Sequence, residues 1–297
     1  MKLVRCAVAA LAASVAIGCE RAKAPPRADT ASPVRGASSD STTALASPRG
    51  KWDDAAGPVL LAPTVTPGQA FVVAPDSATA GAQLAAIPHP ASVTLFGRGG
   101  TVQIADLSAV ADTGVCVTAT LSAAPPPRPW SIGFIGGVIA PLPLDSILSP
   151  TDSASLVVTM NRLASALPID SAGRFAGLPF VVHSIWRFTI PNGPLVAVAT
   201  VTRQINQEAT PLQEHTLIVA ERGAADTAFT TAYSERSYGA EETIESREVL
   251  AGAQIGSVRA PALFLIRDYG DASAYGLIER GQDGKWRRRW TSSRRHC

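Results

Sequence analysis

The sequence predicts an α+β fold: a strongly curved antiparallel meander of about eight strands over residues 175–295, with one amphipathic helix over 150–167 packed on it. Three observations predict this. Between Phe180 and Ser292, short apolar or alternating runs rich in Val, Ile, Thr and Tyr are separated by turn clusters such as PNG, SYGA, YGDAS and GQDG. The links between these runs are too short for parallel crossovers, which need a dozen or more residues. The stretch SPTDSASLVVTMNRLASALP carries the spacing of a single helical face. A closed β-barrel is the alternative arrangement of the same strands.

In chain order, VLLAP, AFVVAP, SVTLFG and TVQIAD are strand-like runs broken by Pro, Gly and Asp, so the first half reads as loop-rich. FGRGGTV, with Gly97, Gly99 and Gly100, has the glycines of a phosphate loop, but its flanking strand-like runs make it a hairpin turn. Ser149 is placed to cap the helix, with Pro150 at its first position and Asp152 three residues after the cap. Leu156, Val157, Met160, Leu163, Ala164 and Leu167 then form one face, and Pro168 stops it. FVVHSIWRFTI, PNG and LVAVATVTRQI read as a hairpin, with Asn192 and Gly193 tolerating the positive φ of a tight turn. LVAVATV and LFLI are apolar on both faces, so part of the sheet is expected to be covered on both sides.

The 297 residues include 26 Lys and Arg and 24 Asp and Glu. Lys2 and Arg5 precede a thirteen-residue run of small and apolar side chains, Cys6 to Gly18, too short to span a bilayer but of the length of a secretory signal. Without those two charges the chain is formally neutral, and a neutral domain has no overall field to gather nucleic acid. The run ends in Ala16, Ile17, Gly18 and Cys19, which resembles the lipobox of bacterial lipoproteins, with alanine at a position more often taken by leucine. The resemblance covers the leader alone. It implies cleavage before Cys19, lipid on that cysteine, and residence in the cell envelope. The absence of aspartate after the cysteine, where Glu20 stands, favours the outer membrane over the inner one.

Residues 20–57 are Ala, Ser, Pro, Thr and charge without apolar periodicity, a composition that cannot offset the entropy of ordering. The expected division is therefore a signal peptide at 1–18, a lipid-anchored linker at 19–57 and one globular domain at 58–297. Cys6 leaves with the leader and Cys19 takes the lipid, so Cys116 and Cys297 are expected to form one disulfide in an oxidising compartment.

Motifs for chemistry are sparse. His89, His183, His215 and His296 are scattered, and neighbouring Glu214 and His215 point to opposite faces of a strand, so neither a metal nor another cofactor is expected. The Asp-Ser pairs at Asp145, Asp152 and Asp170 fit capping better than serine catalysis. Glu235, Glu241, Glu242, Glu245 and Glu248, with Arg236 and Arg247, are the candidate carboxylates for glycoside hydrolysis; the simpler reading is a solvated cross-strand network. In KWRRRWTS, Trp286, Arg288 and Trp290 share one face of a strand, a candidate contact surface or an aromatic edge over the core. The expected function is a non-enzymatic, tethered interaction or structural domain of the envelope, held to the membrane by its N-terminal lipid, with an envelope protein or small ligand as partner. A ligand-binding module using a cavity of the curved sheet is the alternative, and an envelope hydrolase with two acids converging in a cleft is the weaker one.

Overall fold

Among the described residues, fifteen strands and one helix follow from the apolar runs. The structure, a computed structural model, describes residues 59–74, 87, 91–112, 116–123, 128–137, 139–144, 149–168, 173–206 and 211–292. The leader, Cys19, the linker and Cys297 lie outside the described residues. In chain order come β1 (Val59–Pro63), β2 (Gln69–Val73), β3 (Ala91–Gly97), β4 (Gly100–Asp112), β5 (Val117–Ser122), β6 (Ile132–Ile135), β7 (Ile139–Leu142) and helix α1 (Pro150–Ser165). They are followed by β8 (Val181–Thr189), β9 (Leu195–Ile205), β10 (Leu212–Arg222), β11 (Thr230–Ala240), β12 (Ser246–Ile255), β13 (Ala260–Asp268), β14 (Ser273–Arg280) and β15 (Trp286–Thr291).

Every described strand pair is antiparallel. The described residues are mostly antiparallel β with one helix, but the second half is not one curved meander. β8 to β11 form a four-stranded sheet, and β12 to β15, joined by β7, form a five-stranded one. The closed barrel exists, built from the first half in the order β1-β2-β5-β4-β3-β6, in the region that reads as loop-rich in the sequence.

Alternation along the strands explains the layering. Val59, Leu61, Val93, Leu95 and Leu121 fill the barrel interior, while Leu60, Ala62, Phe96, Ile132 and Phe134 point outward onto Ala251, Ala253, Ala262 and Phe264 of the five-stranded sheet. The other face of that sheet, with Val249, Leu263, Leu265 and Ile278, meets Val196, Val198, Leu217 and Val219 of the four-stranded one. The far face of the latter, Ala197, Ala199, Val201, Ile218 and Ala220, is covered by Leu156, Met160, Leu163 and Ala164 of α1. LVAVATV and LFLI are apolar on both faces because each belongs to a sheet buried on both sides. At Leu250 a bulge inserts an extra residue, so Val249 faces one layer and Ala251 the opposite one.

Local signals were accurate. The backbone N–H of Asp152 donates to Ser149 Oγ at 3.1 Å, and the helix ends at Ala166, whose N–H still reaches Arg162 O. The PNG turn joins β8 to β9 with Asn192 at φ 56°. Gly193 is not left-handed there; it is glycine for want of space, since a Cβ would lie 2.9 Å from Ile190 Cγ2. The FGRGGTV hairpin pairs Gly97 with Gly100 at its tip. From that tip Arg98 donates to Val249 O at 2.8 Å, pairs with Glu248 and lies 4.8 Å from the Trp186 ring, so one barrel turn touches both sheets.

Phe96, Phe134 and Phe264 make successive edge contacts, at 5.0 and 5.1 Å, across the junction of barrel and sheet. Phe264→Ala should therefore cost about 3–5 kcal/mol in urea unfolding. The transition should stay single, because the same residues belong to both layers.

Candidate functional site

Charge inside the sandwich marks the candidate site. Counting outward from Leu263 and Leu265, parity places Arg267 of β13 on the face that packs against the four-stranded sheet, where it is 2% exposed. An isolated guanidinium there is untenable, and Glu235 of β11 and Glu245, just before β12, both accept hydrogen bonds from it. Arg247 of β12 adds a second cation, its Nε 3.0 Å from each carboxylate, while its Nη1 donates to Ser237 Oγ at 3.1 Å. The Tyr233 hydroxyl also donates to Glu235, and Arg288 approaches the same carboxylate at 3.9 Å. Gly276 lies over this cluster, where a Cβ would stand 3.0 Å from Arg267 Nε.

This is the carboxylate cluster anticipated from SERSYGAEETIESREV, with a correction. It is buried between two sheets rather than solvated: the Glu235 and Glu245 side chains are 10% and 17% exposed. Glu241 and Glu242 stay in the exposed turn, and Glu248 serves Arg98. Burial opposes the charge on Glu235, but the Tyr233 hydroxyl and the Arg267 and Arg247 guanidiniums outweigh it and hold the carboxyl below its usual range. Burial pushes the Tyr233 phenol up, with the bond to Glu235 adding to it. Glu235 is thus held in its charged form, so it is not poised to deliver a proton in the way a glycosidase acid must.

Two further ion clusters lie on the faces of the four-stranded sheet. On the helix side of the four-stranded sheet, fully buried Glu214 pairs with Arg203 at 2.9 Å and Arg236 at 3.1 Å. Arg203 also donates to Phe175 O at 2.6 Å and stacks 4.5 Å from the Phe180 ring, fastening the segment before β8. At the opposite end of the sandwich from Arg267, Arg280 forks onto Glu221 at 2.7 and 3.1 Å, and the Trp286 indole N–H donates to Glu221 at 2.6 Å.

The strand KWRRRWTS does not present one mixed face. A bulge at Arg289 puts Trp286 (4% exposed) toward the four-stranded sheet and partly buried Trp290 toward the barrel, while Arg288 remains exposed. Trp286 is thus a core residue, not a surface contact. Glu214 and His215 do point to opposite faces, but the histidines are less scattered than their sequence positions imply: His183 and His215 lie 6.4 Å apart with rings 5° from parallel. Among the described residues no three His, Cys, Asp or Glu gather as metal ligands. His89, His296, Asp145 and Asp170 fall outside the described residues. Cys116 is buried at 7% exposure and is not a free thiol, whereas Cys297 is not among the described residues.

The barrel interior is filled by side chains, and a groove of about 480 Å³ lies at one end of it, lined by Pro63, Pro67, Leu121, Arg128 and Trp130.

Glu235→Gln should cost about 3–5 kcal/mol, because it leaves Arg267 and Arg247 buried with one carboxylate between them. Acid should act in two windows. His215 is held below 6.5 by burial, then by His183 and Arg247, so the unfolded chain takes that proton first and stability falls as pH drops below about 6.5. Glu235, with its folded value depressed, contributes stability above its unfolded value of about 4.5 and loses it as pH falls through the folded one. Urea unfolding across pH should show both losses, and His215→Gln should flatten the upper window alone.

Comparison of the chain with protein-family models, with curated proteins and with solved structures found no match.

Proposed function

We propose that this chain is a non-enzymatic cell-envelope lipoprotein: lipid on Cys19 anchors it, residues 20–57 hold it off the bilayer, and the β domain serves as an interaction or structural module. The observation that carries the reading is the short apolar run ending in AIGC, followed directly by a segment with almost nothing to bury. Among the described residues no helix is long and apolar enough to cross a membrane. The non-enzymatic part is supported by where the acids have gone: Glu221, Glu235 and Glu245 neutralise arginines between the two sheets, and Glu214 neutralises two within the four-stranded one. Outer-membrane residence, from Glu20 after the cysteine, belongs to the same proposal.

A small-ligand module is the second reading. It is favoured by the groove at the barrel end, whose prolines and Trp130 give an apolar floor and whose Arg128 gives one charge.

Pairing of Cys116 with Cys297 completes the proposal. Cys116 sits at the start of β5, so a bridge would staple the end of the chain onto the barrel, and closing so long a loop contributes up to roughly 5 kcal/mol in the chain-entropy account.

Mass spectrometry of the native protein checks both covalent claims. The N-terminal peptide should begin at Cys19 and carry acyl chains, and non-reducing peptide maps should recover Cys116 linked to Cys297. An unmodified N-terminus elsewhere removes the anchor; two alkylatable thiols remove the bridge.

A further inference from the structure

The groove of about 480 Å³ at the barrel end is built mainly from rigid apolar residues. Pro63 closes β1, Pro67 stands in the turn into β2, Leu121 lies at the end of β5, and Arg128, Pro129 and Trp130 lead into β6. The turn is pinned by its own backbone. Leu121 N–H donates to Gly68 O at 2.7 Å, Gln69 N–H to Thr66 O at 3.1 Å, and Thr66 N–H to Thr64 Oγ1 at 3.1 Å. Gly68 is left-handed there, at φ 79°, and a Cβ would stand 3.3 Å from Leu121 O. Because the proline ring fixes φ, a wall made of Pro63, Pro67 and Pro129 has little conformational freedom to lose when a ligand settles on it.

The polar side of the groove is sparse and one-signed. Among the described residues no acid lines it, and the one hydroxyl, that of Ser122, donates to Asp106 O at 3.5 Å. Arg128 is exposed, and neither its guanidinium nor the Trp130 indole N–H has a partner among the described residues. Arg203, Arg236, Arg247, Arg267 and Arg280, by contrast, all meet carboxylates. The lining therefore carries a formal charge of +1, from Arg128 alone. Trp130 is half-buried against the barrel core and contributes ring surface beside that charge.

We propose that this groove binds a small monocarboxylate with an apolar body. One guanidinium without a partner matches one carboxylate, whose two oxygens accept from its planar fork. Leu121, Trp130 and the prolines receive the rest of the molecule, and the volume falls within the ~300–1,000 Å³ of small-ligand sites. A ligand cation would meet Arg128 as a like charge, and a dianion would leave one charge unanswered. The inference rests on the reading of the domain as a small-ligand module and is independent of the lipid anchor.

The test is calorimetric titration of the full mature chain at constant ionic strength, with thermal stabilisation as a second readout. Octanoate and 3-phenylpropionate are the carboxylate probes, one with a chain and one with a ring, and octan-1-ol is the neutral control. The wild type should bind at least one carboxylate saturably and about tenfold or more tighter than octanol, the worth of one charge-assisted contact. Arg128→Gln, at an exposed position without a partner, should remove that advantage and leave octanol binding unchanged. Tighter binding of octanoate assigns the body to an alkyl chain, and the reverse assigns it to an aromatic ring. Carboxylates that bind no tighter than octanol, or equally in the wild type and Arg128→Gln, overturn the inference while the small-ligand reading stands. Binding of none of the three probes overturns both.

Discussion

The five-stranded sheet has two apolar faces, and the need to cover both organises the rest of the chain. Phe264 and Ala262 point one way from β13, Leu263 and Leu265 the other, all at or below 1% exposure. The barrel covers one side and the four-stranded sheet the other. The four-stranded sheet is in turn apolar on its far side, and α1 ends the sequence of layers because a helix needs only one stripe buried and can leave the rest in water. Each layer exists because the one before it has a face left over.

Hydrophobic burial is non-directional and would tolerate sliding between the two sheets. Ion pairs are less permissive. Arg267 with Glu235 and Glu245 at one end, and Arg280 with Glu221 and Trp286 at the other, set two fixed points across the same interface. Buried pairs of this kind add little net stability over apolar substitutes, but a misaligned packing would leave charges unpaired in a dry interior. They select one alignment rather than deepen it. Arg98 plays a related part for the barrel, bridging from its hairpin tip to Glu248 and Trp186.

Much of this was legible locally. The Ser149 cap, the buried face of α1 and the Asn192 turn follow from residue types whose conformational preferences act within a few positions. Parity alone placed Glu214 and His215 on opposite faces, and the same count applied to LFLIRD would have flagged Arg267 as a charge on a core face. Its partners were not legible, because Glu235 and Glu245 arrive from another sheet and a turn. Nor were the bulges at Leu250 and Arg289, each of which reverses the facing of everything beyond it; that reversal is why Trp286 and Trp290 part company. The split into barrel and two sheets depends on which apolar faces meet, a long-range choice that periodicity does not encode.

Among the described residues, the five-stranded sheet ends in β7 on one side and β15 on the other, with no further strand paired to either edge. A strand with unpaired backbone groups is a template for a second chain, and sheets with long flat edges tend to aggregate through them. Here β7 is four residues long and contains Pro141, which has no N–H to offer. At the other edge β15 is bulged and carries exposed Arg287, Arg288 and Arg289 in succession. A second copy docking there would bring three guanidiniums against three more. The arginine run that looks like a recognition element in the sequence thus lies on an exposed sheet edge, where like charge opposes pairing with a second copy.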